Sequence, residues 1–136
     1  MKAKDLATQK ANIVRLTSDM SIEEALKIIL KSNLSSVPVI EKDSNRYLYS
    51  LSSTALLKKI VAAKDDLSVY KEPISTVTLE RFIVPCSLET NIESLIDLVV
   101  NQNFVPLVDS AGVFQGIVTR KAVINYMSDL IGSTEE

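Results

Sequence analysis

Histidine is absent from all 136 residues. That removes the Ser-His-Asp and Cys-His arrangements and every His-ligated metal site. Cysteine occurs once, as Cys86. One thiol forms neither an internal disulfide nor a thiolate metal cluster, and Cys86 reads as a small core residue near a strand. Net charge is only −2, so no global field draws the chain to nucleic acid or to anionic lipid. No apolar run approaches the roughly 18 residues of a membrane span. Met1 to Thr17 are mixed and polar, unlike the apolar core of a leader. Asp65 and Asp66 have no further oxygen ligands at metal-site spacing. A cytoplasmic protein is expected, with no metal, no cofactor, and neither nucleic acid nor membrane as partner.

What is present suits one domain, or two small halves, with 46% hydrophobic residues. Residues 1–9 have helical spacing and 11–16 alternate as a strand does. Ser21 with Glu24 three residues on is a capping box. It opens a helix with Ile22, Ala25, Leu26, Ile29 and Leu30 on one face, and Asn33 is a plausible stop. Strands are expected at 35–40 and 47–51. The helix over 54–63, capped by Ser53 or Thr54, turns Leu56, Leu57, Ile60 and Val61 inward. A connector and a short helix at 73–77 lead to a strand at 82–84. A helix at 91–99 follows. Residues 104–118 form a hairpin around Asp109-Ser110-Ala111-Gly112. The last helix, 121–131, carries Ala122, Ile124, Met127 and Ile131 on its apolar side.

The two halves are one unit repeated. Ser21 to Leu26 match Asn91 to Ile96, and Ser36-Val37-Pro38-Val39-Ile40 match Phe104-Val105-Pro106-Leu107-Val108. Ser50-Leu51-Ser52-Ser53-Thr54 match Gly116-Ile117-Val118-Thr119-Arg120, which equates Ser53 with Thr119. The expected fold class is α/β: two β-α-β-β-α repeats packed sheet to sheet, with a short N-terminal helix. The divisions are 1–9 for that helix, 10–71 for the first repeat and its connector, and 72–136 for the second repeat. Such duplicated units bind ligands beside their strand ends.

Thr119, Arg120 and Lys121 place a hydroxyl and two cations where a strand gives way to a helix. Arg120 offers a bidentate fork, Lys121 a point charge, and the first helical amides add donors, all of which suit a phosphate. Ser35, Ser36, Val37 and Pro38 enter the first hairpin with two hydroxyls and an apolar face. Lys10, Ala11 and Asn12 lie at the first strand, and Asn12 can donate to and accept from an adenine edge. The matching surface of the second half, Phe82, Ile83, Val84, Phe104 and Val105, is apolar. One working site per chain is expected. With no histidine available as a general base and no carboxylate pair at a strand end, an enzyme is the least favoured reading.

The tandem unit, the Val-Pro strand, and the Gly116-Ile117-Val118-Thr119-Arg120 segment with its trailing helix resemble a CBS (cystathionine-β-synthase) domain pair. The resemblance covers about residues 9–130. Within that family the chain is most similar to small stand-alone bacterial proteins of Gram-positive lineages that bind cyclic di-AMP. The resemblance implies a homodimeric, non-catalytic sensor. It also implies that ligand modulates a target enzyme, such as a (p)ppGpp synthetase or pyruvate carboxylase, and that Lys10, Ala11 and Asn12 contact adenine and phosphate. The family pattern has an acid three places after the Thr, gripping ribose hydroxyls; here that place holds Ala122. Missing acid and added cation favour a cyclic dinucleotide, which has no free diol, over AMP, ADP or ATP. The alternatives are an AMP, ADP or ATP sensor, or a structural dimerisation module with an empty cleft.

Overall fold

The structure, a computed structural model, describes residues 1–9, 13–32 and 34–135. In chain order it runs α1 (Ala3–Leu6), β1 (Thr8–Gln9), β2 (Leu16–Thr17), α2 (Ile22–Ser32), β3 (Ser36–Ile40), β4 (Tyr47–Ser52) and α3 (Ser53–Ala62). Short 3-10 segments follow at Leu67–Lys71 and Ile74–Thr76, then β5 (Cys86–Ser87), α4 (Ile92–Asn101), β6 (Phe104–Val108), β7 (Phe114–Thr119) and α5 (Arg120–Glu135). The chain divides into two compact units, Val14–Phe82 and Met1–Ile13 with Ile83–Glu136.

In the first unit the sheet order is β2-β3-β4, with β2 parallel and β4 antiparallel to β3. Ser21 caps α2 as expected, its Oγ accepting from the Glu24 amide at 3.2 Å. The helix then buries Ile22, Ala25 and Ile29. They pack with Leu16, Val37, Val39, Leu51, Ala55 and Leu56 into one core.

In the second unit the order is β1-β7-β6-β5. Asn91 caps α4 through the Ser94 amide, and Leu95 and Val99 join Val105, Leu107, Val118 and Val123 in a separate core. The N-terminal residue Ala3, fully buried, belongs to this core. A β-α-β-β-α order is thus present twice, and β1 adds an antiparallel edge to β7.

Several local expectations change. The N-terminal helix is a single turn, because Thr8 and Gln9 pair instead with Ile117 and Gly116. The strand at 11–16 survives only at its end, as β2; Lys10, Ala11, Asn12 and the Asn33 stop lie outside the described residues. No strand forms at 82–84. Pro85 lacks a donor, and the side chain of Gln102 takes the place of a neighbouring strand, bonding both the N–H and the C=O of Val84. Pairing resumes at Cys86.

The largest change concerns helix faces. Leu57 and Val61 on α3 are 55% and 73% exposed. Ile124, Met127 and Ile131 on α5 are exposed too, and among the described side chains of α5 the one buried in the core is Val123. A three- or four-stranded sheet covers one stripe of a helix. Apolar residues on the adjoining stripe keep the helical period without reaching the core.

Candidate functional site

Each unit brings one polar junction to the same place in its fold. In the second unit Thr119 pairs with Phe104 at the end of the hairpin. Its Oγ1 accepts from the Ala122 amide at 3.1 Å, so Thr119 caps α5. The Arg120 amide donates to the carbonyl of Asn103 at 2.8 Å. In the first unit Ser36 pairs with Ser52. The Ser52 Oγ accepts from the Ala55 amide at 3.0 Å, and the Ser53 amide donates to the carbonyl of Ser35 at 2.9 Å.

The two patterns are the same, and they correct the register of the repeat. Ser52, not Ser53, is the counterpart of Thr119, and the cap of α3 is Ser52 rather than Ser53 or Thr54. Ser53 and Thr54 stand where the second unit has Arg120 and Lys121. Ala55, 3% exposed, stands where it has Ala122. Both junctions therefore carry alanine three residues after the capping hydroxyl. Sequence alone misaligns the motif by one residue because Ser52-Ser53-Thr54 offers three hydroxyls in a row, and only strand pairing decides among them.

The structure gives two of the three residues at the second junction a fold role as well. Thr119 uses an oxygen lone pair as a cap while its hydroxyl proton remains for a further acceptor. The Nε of Arg120 donates to the carbonyl oxygen of Val99, in the last turn of α4, at 2.7 Å. That bond uses the Nε–H, and the terminal nitrogens are further donors of the kind an anion takes. Lys121 is exposed at the first turn of α5. At the other junction Ser35 is exposed and Ser36 partly so, whereas Val37 is fully buried in the core and Pro38 is also buried. From that strand the two serines, not the Val37 side chain, face outward. Ser35, Ser36, Val37 and Pro38 belong to the first unit, and Thr119, Arg120 and Lys121 to the second.

Other polar candidates are accounted for by the fold. Asp66 caps the 3-10 segment at Leu67–Lys71 by accepting from Ser68. Asp109 closes its hairpin turn by accepting from the amides of Ala111 and Val113, with Gly112 at φ 83°. Burial pushes the Cys86 thiol up, away from a reactive thiolate. Burial likewise pushes Tyr47 up to about 12, partly offset by its bond to Ser50. Among the described residues no group of three or more acidic or cysteine side chains is placed to hold a metal ion. No helix of these residues is long and apolar enough to cross a membrane.

A doubled α/β unit with a capped, polar strand-to-helix junction in each copy defines the class, a tandem-repeat α/β module. Comparison with protein-family models makes the assignment specific, matching the CBS domain at residues 3–62 and again at 74–129. The chain belongs to the CBS domain family. A search of curated protein sequences returns no match. Among solved structures, CbpB in complex with c-di-AMP aligns with a TM-score of 0.86 at 17% identity, over 99% of this chain and 89% of that one. The CbpB protein of Listeria monocytogenes in complex with c-di-AMP gives 0.80 at 23% identity, over 94% and 96%. CBSX2 in complex with AMP gives 0.71 at 20% identity, over 95% and 97%. At these identities the shared property is the fold, a tandem CBS pair.

Proposed function

We propose that the chain is a non-catalytic, cytoplasmic regulatory protein that binds cyclic di-AMP and thereby changes its affinity for a target protein. The ligand residues are Lys10, Ala11, Asn12, Ser35, Ser36, Val37, Pro38, Thr119, Arg120 and Lys121, with Val37 and Pro38 contributing backbone. The observation that carries the reading is the junction at residues 119–121. Two cations follow a capping hydroxyl, and alanine occupies the place of an acid in both repeats. A carboxylate there would grip a ribose diol and repel a phosphate. Alanine with two cations favours a ligand that has phosphates and no free diol. The c-di-AMP complexes among the structural neighbours support the same choice.

The AMP-bound neighbour favours a second reading, a sensor of AMP, ADP or ATP. Calorimetric titration with cyclic di-AMP, AMP and ATP separates the two. Heat from cyclic di-AMP supports the first. Heat from AMP or ATP alone supports the second. Silence from all three leaves a structural dimerisation module.

A homodimer is part of the proposal. Leu57 and Val61 on α3, and Ile124, Met127, Leu130 and Ile131 on α5, are all large, apolar and exposed. Residues of that kind, gathered on helices of one chain, suit a second copy of the same chain. The target is an enzyme such as a (p)ppGpp synthetase or pyruvate carboxylase, which co-purification with and without ligand would test.

A further inference from the structure

The first matched CBS domain begins at residue 3, yet the first nine residues are built into the unit that carries the second. They form a strap with three fastenings. The amides of Ala3 and Lys4 donate to the carbonyls of Thr90 and Leu88 at 2.8 and 3.0 Å. Lys2 and Lys4 both close on the Glu89 carboxylate, at 2.9 and 2.8 Å, one lysine on each oxygen. Thr8 and Gln9 then pair with Ile117 and Gly116 on the outer edge of β7.

This strap shares a strand pairing and a core with the elements that carry the candidate site. β7 ends in Thr119, and α5 begins with Arg120 and Lys121. Ala3 is fully buried in the same core as Val123, and Leu6, Ala7 and Ala122 pack against that core. The strap therefore backs the strand and the first helical turn that hold the cations. A single turn of helix and a two-residue strand are not stable alone. Off the unit, the strap is disordered, and its docking is a two-state order–disorder element.

We propose that the strap is a detachable brace for the junction at residues 119–121, with Glu89 as its latch. Docking of the strap and binding of a phosphate ligand at the junction then strengthen each other. This rests on the cyclic di-AMP reading. Ligand fixes Thr119, Arg120 and Lys121, and with them the end of the strand and the start of the helix whose other residues the strap packs against; by linkage the docked strap raises ligand affinity by the same factor. Glu89 is a positioning residue, since it meets the two lysines of the strap and not the ligand.

The test combines hydrogen exchange at the strap with calorimetry, on the full chain and two variants. Glu89→Lys sets three cations together, and Ala3→Asp puts a charge into the core. Saturating cyclic di-AMP is expected to slow exchange at the Ala3 and Lys4 amides of wild type. Glu89→Lys is expected to speed that exchange about five- to tenfold, the scale of lost exposed ion pairs. Ala3→Asp is expected to expose the strap fully and to weaken cyclic di-AMP tenfold or more. Retained protection at Val105 and Leu107 shows that the unit remains folded. If Ala3→Asp loses that protection, Glu89→Lys alone carries the test, through a slower gain of strap protection with ligand. A freely exchanging strap with unchanged affinity overturns the brace. Unchanged exchange in Glu89→Lys overturns the latch. A wild type that takes up no cyclic di-AMP overturns the ligand reading first, and the coupling with it.

Discussion

The Nε of Arg120 lies 2.7 Å from the carbonyl oxygen of Val99. The cation that the sequence offers to a phosphate is thus also a cap on α4, where a positive charge meets the negative end of the helix dipole. The Nε–H of the guanidinium holds the fold, and the terminal nitrogens carry further donors. A lysine cannot divide its charge that way, because it is a point donor without a planar fork. Arg120→Lys is expected to weaken cyclic di-AMP about tenfold, or ~1.4 kcal/mol. Arg120→Ala should lose ~2 kcal/mol of binding, the scale for a charged hydrogen-bond partner. It should also lower the stability of the unit by about 1 kcal/mol. Calorimetry reads the first two and urea unfolding the third. Equal binding by the wild type and the Arg120→Lys variant would remove the divided role.

The capping residues give a second prediction. Ser52→Ala and Thr119→Ala each remove an oxygen that accepts a helical amide. Each should destabilise the protein by ~1 kcal/mol in urea unfolding. Ser53→Ala removes no cap and should change stability by less than about 0.5 kcal/mol. A larger effect at Ser53 than at Ser52 would restore the register read from sequence.

Local chemistry decides some of these features and long-range pairing decides the others. The repeat, the α2 cap at Ser21 and the hairpin at Asp109 were legible because local chemistry decides them. The choice among three adjacent hydroxyls was not, because pairing of Ser36 with Ser52 decides it. The same holds for Leu57 and Val61, whose helical period is correct and whose partner is not the core. It holds again for Thr8 and Gln9, which leave a helical pattern to pair with a strand more than a hundred residues away. The cations at 119–121 were legible as a group. The bond from Arg120 to Val99, across 21 residues, had no signal in the sequence.

Gln102 supports a third prediction. It is 5% exposed, and its amide accepts from the Val84 N–H and donates to the carbonyls of Val84 and Phe104. Gln102→Ala strips the buried carbonyl of Phe104 and the part-buried groups of Val84 of that partner and should destabilise by ~1–2 kcal/mol in urea unfolding. A change below about 0.5 kcal/mol, the scale of a surface substitution, would show that the segment before β5 is held by something else.

The latch at Glu89 gives a pH dependence. Hydrogen bonds from Lys4 and then Lys2 hold its carboxyl at about 2, from an ordinary 4.5. A depressed carboxyl contributes above its unfolded value and loses that contribution as pH falls through the folded one. Protection factors at the strap should stay level from neutral pH down to about 5, then fall between 4.5 and about 2. Glu89→Gln should begin lower at neutral pH and lack the step. A step of equal size in Glu89→Gln would assign it to another group.

The central claim is that the junction at residues 119–121 grips a cyclic dinucleotide. Its most direct test is a calorimetric titration of the wild-type chain with cyclic di-AMP, beside AMP and ATP. Saturation is expected at one cyclic di-AMP per chain, with affinity on the order of micromolar or tighter, and a clearly weaker response to AMP and ATP. No heat from cyclic di-AMP at tens of micromolar protein, a range that reveals micromolar binding, would contradict it.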